Sequence, residues 1–524
     1  MFRINIKEAV FMVQWLNDAV FYEIYPQSFC DSNGDGIGDI QGMISKLDYI
    51  KDLGCNALWI NPVYDSPFMD AGYDVRDYYK IAERYGTNED MYRFFNEAHK
   101  RNIKVLMDLV PGHTSDQHQW FRESQKNEVN QYSGRYVWTS NAFEGIDGHP
   151  YISGMTERPG AYMLNFFASQ PALNYGWGVR TEKWQSAVDS PEALATAEDL
   201  KNIMRFWMNH GCDGFRVDMA DSLVKNDDDK KHATAAIWHG IRKMMDQDYP
   251  EAALVSEWSN PQSSINLAGF HMDFYLDHFG NGYNTLLRDY EGNFNGDRSY
   301  FKKDGNGDIQ RFLSDYLPKY GATFQNGFIS MLTCNHDTPR ASLTLSQEEM
   351  KIAWAFIFTM PGVPFLYYGD EIGMKFVNVP SKEGGYHRTG SRSPMQWNSS
   401  RNYGFSTAEE DRLYIAQDSD KNAPTVEKQM GDSNSLYNVT KQLIALRHAY
   451  TDLHAGSSFK VLEADKSLFV YQRGDLICAV NPSDESCHTV NDMLAGKKEI
   501  FSINSVTAEG NKLDLGPGSF AVLQ

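Results

Sequence analysis

The strongest constraint on this chain is a repeat of texture. Eight short, β-rich apolar runs are separated by longer, more polar stretches. The runs are AVFYEIYP from Ala19, ALWINP from Ala57, KVLMDLV from Lys104 and GFRVDMA from Gly214. They continue with ALVSEW from Ala253, FHMDFYL from Phe270, GFISMLTCN from Gly327 and VPFLYYGDE from Val363. Several are continuously apolar, as strands buried on both faces must be. Amphipathic patterns lie between them, such as DIQGMISKLDYIKDLG before the second run and NEDMYRFFNEAHKRN before the third. Strand and helix in alternation imply parallel strands with right-handed crossovers. Eight such units predict a closed α/β barrel, the (β/α)8 or TIM form.

Two segments break the rhythm. Residues 111–174 are polar, aromatic and glycine-rich, without a long helical pattern. That is too long for a simple connection and predicts an inserted domain after the third strand. Near the C-terminus, FKVLEAD, LFVYQRGDLICAVN, KEIFSI and SFAVLQ alternate like antiparallel strands and predict a small β-sandwich. The expected division is a barrel over 1–110 and 172–456, an inserted domain over 111–171 and a sandwich over 457–524. The most apolar stretch, residues 353–368, contains Pro361 and Pro364 and is short for a membrane span. It reads as a helix running into a buried strand.

Net charge is -20, which disfavours nucleic acid and anionic membranes as partners. Six scattered cysteines form no CxxC pair, and several sit in apolar runs. They read as free thiols of a reducing compartment. Residues 1–15 lack the uninterrupted apolar stretch of a signal peptide. The expectation is a cytoplasmic protein, monomeric or weakly homo-oligomeric.

Acids recur at the C-terminal ends of the runs, where a barrel of this kind opens. Asp108, Asp218, Glu257 and Asp337 all fall there, and Tyr73 and Asp74 follow the second run. Crowding like charges costs stability, so such a cluster points to a working site. Glycoside cleavage needs two carboxylates in different protonation states. Arg216, on the same strand face as Asp218, is expected to keep Asp218 ionised as a nucleophile. Glu257, beside Trp258 and apolar strand residues, is expected to be the protonated acid. Asp337 is expected to hold sugar hydroxyls and stabilise a cationic transition state.

Four segments carry a family resemblance: DLVPGHTSDQH at 108–118, GFRVDMA at 214–220, ALVSEW at 253–258 and LTCNHD at 332–337. In this order and spacing the chain resembles glycoside hydrolase family 13, the α-amylase and α-glucosidase family. The resemblance implies that Asp218 forms a β-glycosyl enzyme, that Glu257 is acid and base, and that Asp337 is the third carboxylate. It implies that His113, Arg216 and His336 support the sugar and that Tyr73 stacks beneath it. SRSPMQW at 391–397 resembles the RTPMQW element of the family's exo-acting α-glucosidases. By that likeness Arg392 pairs with Asp74 to close the non-reducing end. Two positions depart from the family pattern. Gly112 stands where most relatives have Asn, and QPALN at 170–174 carries Ala172 in place of an acid.

The implied activity is a retaining α-glycoside hydrolase on malto- or isomalto-oligosaccharides, acting from the chain end. An endo-acting α-amylase, a transglucosylase such as a trehalose synthase, and a catalytically dead sugar-binding relative are the alternatives. One more motif stands apart from the chemistry. DSNGDGIGD, residues 31–39, alternates oxygen donors with glycine like the first part of an EF-hand loop. Asp31, Asn33, Asp35 and Asp39 would supply side chains, and Ile37 a carbonyl, to a structural Ca2+ or Mg2+. No organic cofactor is implied.

Overall fold

The computed structural model describes residues 12–145, 148–290, 296–383 and 388–524. Most of the N-terminal stretch read above for a leader lies outside the described residues. Each of the eight apolar runs contributes one strand. These are β1 Phe21–Ile24, β2 Ala57–Ile60, β3 Lys104–Leu109, β4 Gly214–Val217, β5 Ala253–Ser256, β6 Met272–Phe274, β7 Phe328–Ser330 and β8 Phe365–Tyr367. All pair in parallel, in the order β7-β6-β5-β4-β3-β2-β1-β8. A parallel bridge between Leu332 and Phe365 joins the two ends and closes the barrel.

The two-residue period of a strand decides what lies inside. Phe21, Ala57, Trp59, Leu106, Ala253, Val255, Met272, Phe274, Phe328 and Phe365 form the apolar interior. Their strand neighbours Tyr22, Leu58, Val105, Phe215 and Leu254 face outward into the layer beneath the helices. Leu16, on the 3-10 turn Gln14–Asp18, packs into the same interior cluster. The inward parity carries Glu23, Asp108, Arg216, Asp218 and Glu257 to the C-terminal mouth.

The helices follow the amphipathic stretches with one change. The stretch before β2 forms two helices, Ile40–Ser45 and Leu47–Leu53, because Lys46 leaves helical geometry with φ -107° and ψ 1°. The stretch before β3 forms Asn88–Lys100, opened by a reciprocal Thr87/Asp90 capping box. The apolar run at 353–368 is the helix Gln347–Thr359 running into β8. Among the described residues no helix is long and apolar enough to cross a membrane. All six cysteines are free.

The C-terminal strands are β9 Phe459–Asp465, β10 Leu468–Arg473, β11 Leu476–Asn481, β12 Cys487–Val490, β13 Glu499–Ile503, β14 Val506–Glu509, β15 Lys512–Leu515 and β16 Ser519–Leu523. They form a five-stranded sheet, β9-β10-β11-β16-β13, and a three-stranded sheet, β12-β15-β14. Leu468, Val470, Ile477, Ala479, Leu513 and Leu515 share a cluster between the sheets. The alternate residues Phe469, Tyr471, Cys478 and Val480 join the barrel's outer core instead. Tyr471 hydroxyl lies 2.6 Å from Thr359 Oγ1. Arg473, fully buried, donates to the carbonyls of Thr359, His454 and Ser458. Those contacts tie the sandwich to the end of the helix that precedes β8, whose terminal carbonyls lack partners within the helix.

Candidate active site

Arg216 is the hub of the mouth. It stands beside Asp108 in the β3–β4 register and is 1% exposed. Nη1 donates to Asp108 Oδ1 at 2.8 Å and Oδ2 at 3.0 Å, and to Asp218 Oδ1 at 3.3 Å. Nη2 lies 2.6 Å from Glu257 Oε2. One guanidinium therefore spans the two carboxylates that the sequence singled out. The sequence reading gave Arg216 to Asp218 alone and left Glu257 among apolar residues. The structure instead pairs both acids with it, and Trp258 turns away to pack against Phe270.

Both acids border the same cavity, of about 320 Å3, with Tyr73, His113, Phe166, Phe167, Met219, Asp70, Asp337 and Arg388. Burial and the charge of Glu257 push the Asp218 carboxyl well above its ordinary range, against the pull of Arg216. Met219, next along the chain, has φ 40°, in the left-handed region. Its N–H reaches Glu257 Oε2 at 3.0 Å. A non-glycine residue held there costs about 1–3 kcal/mol, so the neighbouring structure must enforce it.

Asp337 is held on three sides. Arg388 Nη1 lies 2.7 Å and Arg392 Nη2 2.8 Å from Oδ1, and His336 Nε2 lies 3.2 Å from Oδ2. Burial alone would raise its pKa, but His336, Arg388 and Arg392 hold it well below the carboxylate range. Tyr73 stacks parallel to His336 with ring centroids 5.4 Å apart, and its hydroxyl donates to Asp108 Oδ2 at 3.0 Å. His113 is fully buried. Nε2–H donates to the Tyr73 carbonyl at 3.0 Å, and Nδ1 accepts from Asn165 Nδ2 at 2.9 Å. Burial lowers its pKa to about 4, so the ring is a neutral donor that fixes Tyr73.

The expected pairing of Arg392 with Asp74 is not formed. Asp74 accepts from the Met69 and Asp70 amides and the Ser66 hydroxyl, which folds its own loop. Arg392 is fully buried and divides its nitrogens among Asp337, Glu383 and the His336 carbonyl. The pair at the cavity wall is Arg388 with Asp70, and Arg388 also binds Asp337. Gln170 Nε2 steadies Asp70 at 2.8 Å. Sequence reasoning missed both residues because each lies four positions before the one chosen, in loops without periodic pattern. It also missed two buried carboxylates. Glu383 receives Tyr25, Gln27 and Tyr414, and Glu23 faces His336. The departure at Ala172 has a physical reason. It sits fully buried in an apolar cluster with Val137, Met163 and Trp177, where a carboxylate would lie unpaired.

In the loop at 31–39, Asp31 accepts from the amides of Asn33, Gly34 and Gly36, Asn33 from Asp35, and Asp35 from Ile37. Asp39 also caps the helix Ile40–Ser45 through Gly42 N. Among the described residues no three His, Cys, Asp or Glu side chains converge as a metal cluster.

A closed parallel barrel with carboxylates around an arginine at its C-terminal mouth has the parts of an enzyme that works by acid–base and nucleophilic chemistry. The comparisons agree. The family model for the alpha amylase catalytic domain matches residues 23–456, and the chain belongs to that family and is a glycosidase. It is 31% identical to the trehalose synthase/amylase TreS of Mycolicibacterium smegmatis, over 88% of this chain and 80% of that one. It is 32% identical to a probable oligo-1,6-glucosidase of Bacillus subtilis, over 88% of each. The fold is also that of trehalulose synthase MutB from Pseudomonas mesoacidophila MX-45. There the TM-score is 0.79 at 24% identity, over 97% of this chain and 99% of that one.

Proposed function

We propose that the protein is a retaining α-glucosidase that removes glucosyl units from the non-reducing ends of malto- or isomalto-oligosaccharides. The observation that carries this reading is the joining of Asp218 and Glu257 by one Arg216 guanidinium beside a cavity walled by Arg388 and Asp70. Asp218 attacks the anomeric carbon while Glu257 delivers a proton to the leaving oxygen, and water later reverses the step. In the empty site Asp218 is the carboxyl raised by burial and by Glu257. A positive charge growing on the sugar favours the Asp218 anion, which Arg216 also supports. Asp337, kept ionised by its arginines, takes the sugar hydroxyls.

Oligo-1,6-glucosidases and trehalose synthase/amylases stand among the relatives, so linkage and transfer are decided by products. Incubation with maltose, isomaltose, trehalose, sucrose and soluble starch is expected to give glucose from maltose or isomaltose and little action inside starch. Trehalose made from maltose would replace the hydrolytic reading with an isomerising one. Arg388→Ala should lower kcat/KM on the preferred disaccharide roughly 100-fold, about 3 kcal/mol, by removing charge-assisted bonds. The loss should shrink on longer oligosaccharides, which the opened wall admits. An equal loss on every chain length would show that Arg388 does not close the pocket.

We further propose that the loop at 31–39 takes Ca2+ or Mg2+. Its donors are all oxygen, suited to a hard cation. Gly34 and Gly36, at φ 79° and 95°, let the loop wrap. Asn33 and Asp35 remain exposed, and the Ile37 carbonyl adds a further oxygen. Calcium at about 100 times its dissociation constant would add about 2.7 kcal/mol. Tm of chelator-treated protein should therefore rise on adding Ca2+, and Asp35→Ala should abolish the rise. An unchanged Tm in wild type would leave the loop a plain turn.

A further inference from the structure

Glu23 is a buried carboxylate that the chemistry above does not use. It lies on β1 with its side chain turned into the mouth, level with Trp59 and Tyr367 in the register, and is fully buried. Glu23 Oε1 sits 3.0 Å from His336 Nδ1. Asn61 completes the contact when its amide is oriented to suit its neighbours. Its nitrogen then donates to the Ile24 carbonyl and to Glu23 Oε1, and its oxygen faces His336 Nδ1 at 3.1 Å. Both partners of Nδ1 are thus acceptors.

The other ring nitrogen meets acceptors too. Nε2 faces Asp337 Oδ2 at 3.2 Å and Tyr73 Oη at 2.7 Å. Asp337 is ionised by its two arginines. The Tyr73 proton goes to Asp108. A histidine with acceptors at both nitrogens carries two protons and a positive charge. Arg216, Arg388 and Arg392 stand close by, so that charge is sustained only with a carboxylate on each side of the ring.

We infer that Glu23 is a positioning residue that holds His336 as an imidazolium, with Nε2–H directed at Asp337 and the sugar-facing side of the mouth. The inference rests on the reading of Asp337 as the sugar-binding carboxylate. The charge on the ring keeps Asp337 turned toward His336 and supplies a donor that a neutral ring would lack.

The electrostatics agree with the geometry. Burial pulls His336 down, but Asp337 and Glu23 outweigh it and leave its pKa raised. Burial pushes Glu23 up to about 7, against His336, Arg216 and Asn61. Tyr367, packed against Glu23 from β8, is neutral, its pKa raised well above the usual value by burial first. A raised carboxyl contributes its charge above its pKa and loses it as pH falls through that value. The Glu23 charge that faces the ring is therefore present above about 7 and fades below it.

The test uses full-length protein labelled with 15N-histidine at pH 8, with the His336 signals identified by their loss in His336→Asn. Wild type should show both ring nitrogens protonated. Glu23→Gln removes the charge opposite Nδ1, so the ring should lose one proton and become neutral. On an α-glucoside, the alkaline limb of kcat/KM should then move down by about one pH unit. The urea midpoint should not fall, because a near-isosteric amide replaces a buried charge; this separates positioning from loss of fold. A neutral His336 in wild type, or an imidazolium that survives in Glu23→Gln, overturns the inference. If wild type turns over no α-glucoside, the proposed function fails while the 15N signals still decide the state of the ring.

Discussion

Asp218→Asn is expected to lower kcat on an aryl α-glucoside by about 10^4- to 10^6-fold, the loss usual for removal of a nucleophile. The amide oxygen still accepts from Arg216 Nη1, which lies 3.3 Å from Asp218 Oδ1 in the wild type. The cavity keeps its shape, and calorimetry should find oligosaccharide affinity within a few-fold of wild type. The substitution also removes a group that burial and Glu257 raise, so the folded state should be no less stable to urea. Asp218→Ala gives a sharper result. Azide can enter the vacated space, form the new bond to the anomeric carbon and expel the aryloxide from the opposite side. The product should be the β-glucosyl azide. Near-wild-type turnover in Asp218→Asn, or an α-configured azide, would remove Asp218 from the role.

Much of this arrangement was legible in the sequence, and for one reason. A strand buried on both faces must be apolar at every position except where its end meets the mouth. An acid or arginine at the end of such a run is therefore visible against its background, as Asp218, Arg216 and Glu257 are. The register then did the rest, since Asp108 and Arg216 are neighbours on β3 and β4. The loops gave no such background. Asp70 and Asp74 lie in one turn with similar neighbours, and only three-dimensional contacts show that Asp74 folds the loop while Asp70 meets Arg388. The same holds for Arg388 against Arg392. Glu23 was hidden differently. It sits inside a run otherwise read as a buried strand, and its partner His336 is more than three hundred residues away. Nothing local marks such a carboxylate as paired.

Glu257→Gln separates the two halves of the reaction. A general acid contributes about 10^2- to 10^4-fold, and only where the leaving oxygen needs its proton. kcat/KM on maltose should fall by that amount, while α-glucosyl fluoride, whose leaving group departs without a proton, should lose far less. With water no longer activated, the glycosyl-enzyme should accumulate and be seen as a covalent mass increase on Asp218. The pH profile carries a second signature. Asp218 must be ionised to attack, and its pKa is raised first by burial and then by the Glu257 charge. A carboxyl raised in this way loses its reactive form as pH falls through the raised value. Replacing Glu257 by a neutral amide removes the second cause and leaves the first. The acid limb measured with the fluoride should therefore move to lower pH, and Arg216, freed from its 2.6 Å contact, can turn further toward Asp218. Both changes act in the same direction, because a closer guanidinium also favours the anion. Equal losses on maltose and the fluoride, with the acid limb unmoved, would mean that Glu257 neither protonates the leaving group nor raises the Asp218 carboxyl.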